Sequence, residues 1–196
     1  MERVLIFIKH NLQFLWKIIE YFNGIIFHYL FKSKLVLVQN KVLEENKLQP
    51  FTFRRIQRAD IESLHKLISM QDPSDLKFFN PHAFDIKSLF GQLNNHAFLM
   101  MGVFMGDAMV GYFFLRFFIN KKCFVGRLID KPYRGQGIGI KMNDIMYSIS
   151  WKMNFRCLST ISKDNIPVMK AHSKNPTIKL LGELDNNYLL VEFVKR

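Results

Sequence analysis

The segment from residue 134 to residue 139 reads Arg-Gly-Gln-Gly-Ile-Gly, and it constrains the fold more than any other part of the chain. An apolar run from Cys123 to Ile129 precedes it, and a helical pattern follows from Ile140 to about Asn154. A glycine-rich turn between a strand and a helix presents unpaired backbone N–H groups at the positive end of the helix dipole. Because glycine also lets an anion approach the backbone closely, we expect this turn to bind a phosphorylated ligand.

The spacing of the glycines excludes two common phosphate-binding motifs. A P-loop needs Gly-Lys-Ser/Thr at the place where this chain reads Ile-Lys-Met from residue 140. A dinucleotide fingerprint needs a glycine at that same first position. The pattern that fits is Arg/Gln-x-x-Gly-x-Gly/Ala, which Arg134, Gly137 and Gly139 satisfy. A glycine-rich turn without any ligand is the alternative.

This pattern resembles the pyrophosphate-binding signature of the GNAT superfamily of acyl-CoA N-acyltransferases. The order of elements predicted from Phe51 to Phe193 is also similar to that of a GNAT domain: strand, two helices, three strands, helix, strand, helix and two strands. The resemblance implies an α/β (α+β) domain over residues 51–196, with a mixed, mainly antiparallel sheet flanked by helices. It also implies acetyl-CoA as the co-substrate and a primary amine as the acceptor.

The resemblance implies cofactor contacts at particular positions. The residues expected in the pyrophosphate-binding loop are Arg134, Gly135, Gln136, Gly137, Ile138 and Gly139. In the family, a backbone N–H on the preceding strand polarises the thioester carbonyl, and Leu128 and Ile129 occupy that place here. Asn165 corresponds to an asparagine that meets the pantetheine or the pyrophosphate in many family members.

The expected reaction needs a base for the amine proton and a proton donor for the leaving thiolate. Seven residues after Asn165, where the family often has a tyrosine acid, this chain has His172, and Asn175-Pro176 replaces the usual Gly-Phe. Because imidazole titrates near neutral pH, His172 is the candidate acid, with a solvent-exposed helix position as the alternative. Asp130 at the strand end is the candidate base, with a turn cap as the alternative. Glu183 is a second candidate base, and an ordered water could replace both.

An aromatic cluster follows the first predicted helix of the domain. It reads Phe-Phe-Asn-Pro-His from residue 78 to residue 82. In the family this region commonly builds the acceptor site, so we expect Phe79 and His82 to bind a small or sugar-like amine. An apolar plug beneath a loop is the alternative. A peptide or protein N terminus is the competing acceptor, and a catalytically inactive binding protein with the same fold is the competing function.

Residues 1–50 precede the GNAT-like domain. Apolar residues recur at steps of three and four between Val4 and Phe31, which predicts a long amphipathic helix, and residues 32–47 suggest a connector. Three charged residues interrupt the apolar run, which disfavours a membrane-spanning helix. Three interpretations stay open: residues 4–31 lie on a membrane surface, form a homodimer, or pack on their own domain.

Charge and cysteine content limit the compartment and the partners. The chain carries 28 basic and 16 acidic residues, a net charge of +12 that suits phosphate-bearing ligands or an anionic membrane. The basic residues are scattered along the sequence, so we do not expect nucleic-acid binding. Cys123 and Cys157 both fall in predicted strands, which indicates buried thiols in a reducing compartment. We expect no metal site, and a cytoplasmic protein that is peripheral at the inner membrane face if the first helix binds lipid.

Overall fold

The computed structural model describes residues 13–173, 175, 177–185 and 187–195, apart from the side chains of 13–17, 172 and 173. The helices are α1 (Gln13–Glu45), α2 (Ile61–Ser69), α3 (Pro73–Leu76), α4 (Ile86–Leu93), α5 (Ile138–Lys152) and α6 (Ile166–Ser173). The strands are β1 (Phe51–Arg55), β2 (Phe98–Met105), β3 (Ala108–Phe118), β4 (Lys122–Ile129), β5 (Arg156–Ser162), β6 (Ile178–Leu184) and β7 (Tyr188–Phe193). Short 3-10 turns follow β1 and β4.

The strands form one mixed sheet. Its order is β1-β2-β3-β4-β5-β7-β6. Only β4 and β5 run parallel, and α5 makes the crossover between them, whereas the other neighbours are antiparallel. The predicted fold class, a mainly antiparallel mixed sheet flanked by helices, is therefore confirmed.

Helices cover both faces of the central strands. Almost every residue of β2 and β3 is buried, which explains why these strands read as continuous apolar runs without alternation. One face packs against α1 and α5, represented by Phe27 and Met142. The other face packs against α2 and α4, represented by Leu64 and Leu89. The site described below lies where the first of these two layers meets the end of β4.

Helix α1 packs on the same face of the sheet as α5. Phe27 and Val42 are both 0% exposed and pack in the same cluster as the sheet. Asn23 fastens the helix to the end of β3, because its Nδ2 donates to Phe117 O at 2.8 Å and its Oδ1 accepts from Ile119 N at 3.0 Å. The segment expected to be a connector, residues 32–47, is helical as far as Glu45. Packing on its own domain is therefore what the structure shows for the described part of this helix.

Both cysteines are free thiols at the start of the parallel pair. Cys123 and Cys157 are each 0% exposed and lie opposite one another in register. Burial raises the pKa of both thiols, which keeps them protonated and unreactive at neutral pH. The prediction of buried thiols is confirmed.

Replacing Phe27 by alanine tests the integration of α1 into the core. We expect Phe27→Ala to lower the free energy of unfolding by about 3–5 kcal/mol, because the change leaves a cavity beneath the helix. Urea denaturation of the full chain measures this. The matched control is Tyr29→Ala on the same helix, where the side chain is 83% exposed and the change should stay within about 0.5 kcal/mol. Equal stability of the two variants would show that α1 is an independent appendage.

Candidate functional site

Strands β4 and β5 part soon after they begin. Their pairing covers Lys122–Phe124 against Arg156–Leu158, and Ser159 Oγ then donates to Val125 O at 3.2 Å. Beyond that point the described residues show no further pairing between the two strands, and we call the unpaired gap between their carboxyl ends the opening. Because α5 begins at the same edge, the opening and a helix N terminus face one another, as in other parallel crossover units that bind ligands.

The backbone of β4 presents alternate residues to this opening. Asp130 N–H donates to Val110 O on β3 at 3.0 Å, so the Asp130 backbone faces away from the opening. Successive strand residues direct their backbone groups to opposite sides, so Leu128 also faces β3 and Ile129 faces the opening. Ile129 O accepts from Arg134 Nε at 3.1 Å. Of the two strand residues predicted to contact the cofactor, Ile129 has its N–H directed into the opening.

Two glycines shape the turn that enters α5. Gly135 and Gly137 have φ of 80° and 81°, in the left-handed region that residues with a side chain rarely adopt. Gly137 caps the helix, and its carbonyl accepts from the N–H groups of Ile140 and Lys141, both at 3.1 Å. The N–H groups before these have no acceptor within the helix and point out of its N terminus. No acidic side chain stands in the first turn, so the positive potential of the helix dipole is not neutralised there.

The first turn of α5 lies directly against β4 because residue 139 has no side chain. A Cβ at Gly139 would come within 3.1 Å of Arg127 Nη1 and 3.3 Å of Ile129 Cδ1. Ile138 is 1% exposed, so its side chain anchors the turn in the core and leaves its backbone to face the loop. Gln136 Nε2 donates to a carbonyl of the preceding turn at 3.3 Å. The loop is thus held in place by its own side chains, while its N–H groups stay at the surface.

Arg134 ties this loop to helix α3. Its guanidinium makes a two-pronged contact with the Asp75 carboxylate, at 2.9 and 3.2 Å, while Nε holds Ile129 O. These hydrogen bonds are the main cause that holds the pKa of Asp75 below its ordinary value. Lys131 Nζ lies 3.1 Å from Asp72 and adds a second ion pair between the same two segments. The Arg134 side chain therefore positions the loop, and its contact with a pyrophosphate stays a prediction.

Asp130 lies in the same junction. Its Oδ1 accepts from Lys131 N and from Gln71 Nε2, both at 3.0 Å. The carboxylate thus caps the turn after β4, which is the alternative that the sequence left open, and its role as a base stays a prediction. Three side-chain contacts now join residues 71–75 to residues 130–134. We refer to this arrangement as the loop junction.

A half-buried cation lies beneath the N terminus of α5. Arg127 Nε donates to Asn143 Oδ1 at 2.9 Å, and burial lowers the pKa of this guanidinium. Its Nη1 approaches Gly139 from below, so a positive charge stands behind the glycine loop. Nothing near Arg127 in the sequence signals this contact, because its partner lies 16 residues later on a helix.

Phe79 and His82 pack into an aromatic cluster on the opposite face of the sheet. The ring of Phe79 stacks on Phe84 at 6.1 Å, and His82 Nε2 lies 3.0 Å from the Tyr112 hydroxyl. His82 Nδ1 lies 2.8 Å from Ala83 O, which can only accept, so Nδ1 carries the proton and Nε2 accepts from Tyr112. Burial lowers the pKa of His82, which favours this neutral form. Contact of either residue with an acceptor stays a prediction.

The remaining candidates lie around α6. Asn165 Oδ1 accepts from Val168 N at 3.3 Å, so this side chain caps the helix. His172 follows within α6, and its side chain lies outside the described residues. Glu183 makes an exposed ion pair with Lys163 at 2.7 Å. The structure therefore brings together the loop and the strand end, and it leaves the catalytic assignments as predictions.

Neither a metal-binding cluster nor a membrane-spanning helix occurs in the described ranges. These residues contain no group of three or more histidine, cysteine, aspartate or glutamate side chains arranged to hold a metal ion. The same part of the chain has no helix with the length and hydropathy that a membrane span requires.

Solved structures with the same architecture are distant in sequence. The GNAT domain of PAT from S. lividans superposes with a TM-score of 0.63 at 12% identity, over 72% of this chain and 88% of that one. PaiA N-acetyltransferase from Thermoplasma acidophilum, in complex with coenzyme A, gives 0.60 at 16% identity, over 74% and 98%. An acetyl transferase from Salmonella typhimurium that modifies the N-terminal serine of ribosomal protein L7/L12 gives 0.60 at 19%, over 74% and 93%.

By sequence, no protein-family model and no curated protein matches the chain. From β1 to β7 the strands and the longer helices follow one another in the order that the sequence predicted, and the four-residue α3 is an addition to that order. The chain therefore has the fold of the GNAT acetyltransferases.

Proposed function

We propose that this protein is an N-acetyltransferase that moves an acetyl group from acetyl-CoA to a primary amine. The observation that carries the proposal is the opening between β4 and β5, with a left-handed glycine loop and a helix N terminus at its mouth. Two structural neighbours, PaiA and the ribosomal protein acetyltransferase RimL, have structures in complex with coenzyme A. This supports the same co-substrate for the present chain.

The backbone of the loop is suited to a pyrophosphate. The N–H groups of residues 135–139 would donate to its oxygens, and the half-buried Arg127 would add positive potential from behind. Asn165, at the start of α6, is the proposed contact for the pantetheine. The bound thioester would supply the activated acetyl carbon. All of these donors belong to elements held by the core, so little reorganisation is needed on binding.

The proposed reaction is direct attack of the amine on the thioester. The amine nitrogen bonds to the carbonyl carbon, and the carbon–sulfur bond then breaks. The Ile129 N–H, directed into the opening, would stabilise the negative charge on the carbonyl oxygen. We propose that His172 gives a proton to the departing sulfur, and that Asp130 or an ordered water takes the proton of the amine.

The acceptor that we favour is a small or sugar-like amine. Support comes from the aromatic cluster of Phe79, which offers a ring for stacking beside the sheet. A peptide or protein N terminus is the second candidate, supported by the Salmonella neighbour that modifies an N-terminal serine. A panel of amino sugars, small amines and Ser-initiated peptides, read by coenzyme A release, separates the two. Acetyl-CoA binding without turnover of any amine would instead favour an inactive binding protein.

Partners other than the acceptor are also proposals. The outward face of α1 carries several exposed apolar side chains, with Phe22 57%, Tyr29 83% and Leu37 72% exposed. This face supports contact of residues 4–31 with a membrane surface or with a second copy of the chain, and residues 1–12 lie outside the described residues. We propose a cytoplasmic location on the strength of the two buried free thiols.

Replacing Gly137 by glutamate tests the loop. We expect Gly137→Glu to weaken acetyl-CoA binding by at least roughly 100-fold, because it strains a left-handed position and places a negative charge at the helix N terminus. Isothermal titration calorimetry of the folded variant measures this. The matched control is Gly106→Glu in the β2–β3 turn, where φ is also positive at 57° and no atom lies within 4 Å of a built Cβ. Unchanged affinity in Gly137→Glu would remove the loop as the binding site.

Replacing His172 by alanine tests the proton donor. We expect His172→Ala to lower kcat by about 10²–10⁴-fold while the Kd for acetyl-CoA changes little, because a general acid acts on the transition state. Steady-state kinetics and calorimetry together measure the two quantities. Lys170→Ala, at an exposed position on the same helix, is the control. An unaltered kcat would eliminate His172 as the acid.

A further inference from the structure

A small cavity between α1 and the β1 edge of the sheet is lined by basic side chains. Its volume is about 50 Å³, and its polar lining consists of His28 and Lys32 on α1, Arg55 at the end of β1, and His96 just before β2. Leu35, Val36 and Leu99 complete its lining. No acidic side chain is among the lining residues, and we call this cavity the basic pocket. Strand β3 lies between the two strands that line it, β1 and β2, and strand β4 with the glycine loop.

Within the described part of the chain, no ion pair joins the basic pocket to an acidic side chain. His28 Nδ1 is buried, and the described residues offer it no hydrogen-bond acceptor or donor. The rings of His28 and His96 lie 4.1 Å apart between centroids. Burial lowers the pKa of His96, and the positive groups at His28, Lys32 and Arg55 lower it further.

The nearby acids do not neutralise this charge. Glu20, the nearest acidic residue to His28 on α1, lies two helical turns away and is paired with Arg116. The electrostatic influences on His96 all come from basic groups. A pocket of this kind is stabilised by an anion, because a negative charge relieves the repulsion among its donors.

We propose that the basic pocket binds a single tetrahedral oxyanion, such as a phosphate group, held by Lys32, Arg55 and the two histidines. The volume admits roughly three to five water-sized groups, which matches one phosphate or sulfate and excludes a whole nucleotide. Arginine, lysine and histidinium all form charge-assisted hydrogen bonds with such an anion. The buried Nδ1 of His28 would gain a partner on binding, and α1 would be fastened to the sheet edge.

Two kinds of molecule could supply the phosphate group. One is a free phosphate or a soluble phosphate ester. The other is a lipid headgroup, because Val36 lines the pocket, is 43% exposed, and continues into the exposed apolar face of α1 with Tyr29 and Leu37. The chemistry at the pocket is the same in both cases, so the experiment separates the sources.

The first measurement is the Tm of the full chain in sulfate, phosphate and chloride at equal ionic strength, at pH 6 and pH 8. We expect both oxyanions to raise the Tm above the chloride value, because they bind the folded state. Sulfate keeps its charge across this range, so a pH dependence of sulfate binding reflects a change of protonation in the protein. Protonated His96 would donate a charge-assisted hydrogen bond to the anion, so sulfate affinity should fall as the pH rises from 6 to 8.

Variants assign the effect to the basic pocket. Lys32→Gln and Arg55→Gln should each weaken oxyanion binding about tenfold, and His96→Gln should reduce its pH dependence. Lys34→Gln is the matched control, because Lys34 is exposed on the same helix and does not line the pocket. Gly137→Glu, which removes the proposed cofactor loop, should leave the Tm rise intact.

Vesicle sedimentation separates the two sources. Binding to phosphatidylcholine vesicles that contain phosphatidic acid, but not to phosphatidylcholine alone, with loss in Lys32→Gln, would assign a lipid headgroup. Oxyanion binding without vesicle binding would assign a soluble phosphate. An equal Tm rise in Lys32→Gln and Lys34→Gln, loss of the rise in Gly137→Glu, or no rise above chloride would overturn the proposal.

Discussion

Strand β4 is paired along its whole length with β3 and over only three residues with β5. The rest of the candidate site depends on this unequal pairing. Backbone groups of a buried strand normally find partners, so a strand that loses its neighbour leaves donors and acceptors for something else. The antiparallel pairing with β3 holds one side of β4 in the sheet, while most of its other side is unpaired with β5. The opening therefore follows from the way the strands pair.

Glycine residues shape the entry into α5 in two ways. At Gly135 and Gly137 it permits a left-handed turn, and at Gly139 it permits the helix to rest on β4. Both effects are local and depend on residue identity, so the glycine loop could be predicted from the spacing of its glycines. The order of strands and helices could be predicted for a similar reason, since apolar runs and turn residues are short-range signals.

The polar contacts around the loop were not predictable in that way. Arg134 and Asp75 lie 59 residues apart, and nothing in either neighbourhood favours this pairing over another. The Arg127–Asn143 and His82–Tyr112 contacts likewise depend on how a helix or loop lies on the sheet. Sequence reasoning found the Phe-Phe-Asn-Pro-His cluster, but whether it forms a plug or a binding surface depends on tertiary packing. Helix α1 shows the same limit, because its periodicity predicts an apolar face without saying what covers it.

The loop junction joins the two segments that lead into the proposed substrate sites. Residues 71–75 precede the aromatic cluster of Phe79 and His82, and residues 130–134 lead into the glycine loop. A shift of one segment stretches a bidentate ion pair and two further hydrogen bonds to the other. Under the proposed function, a ligand that displaces one segment would change the binding free energy of a ligand at the other, by the same amount in both directions. The coupling between the two bound substrates would then depend on a few side chains of the loop junction.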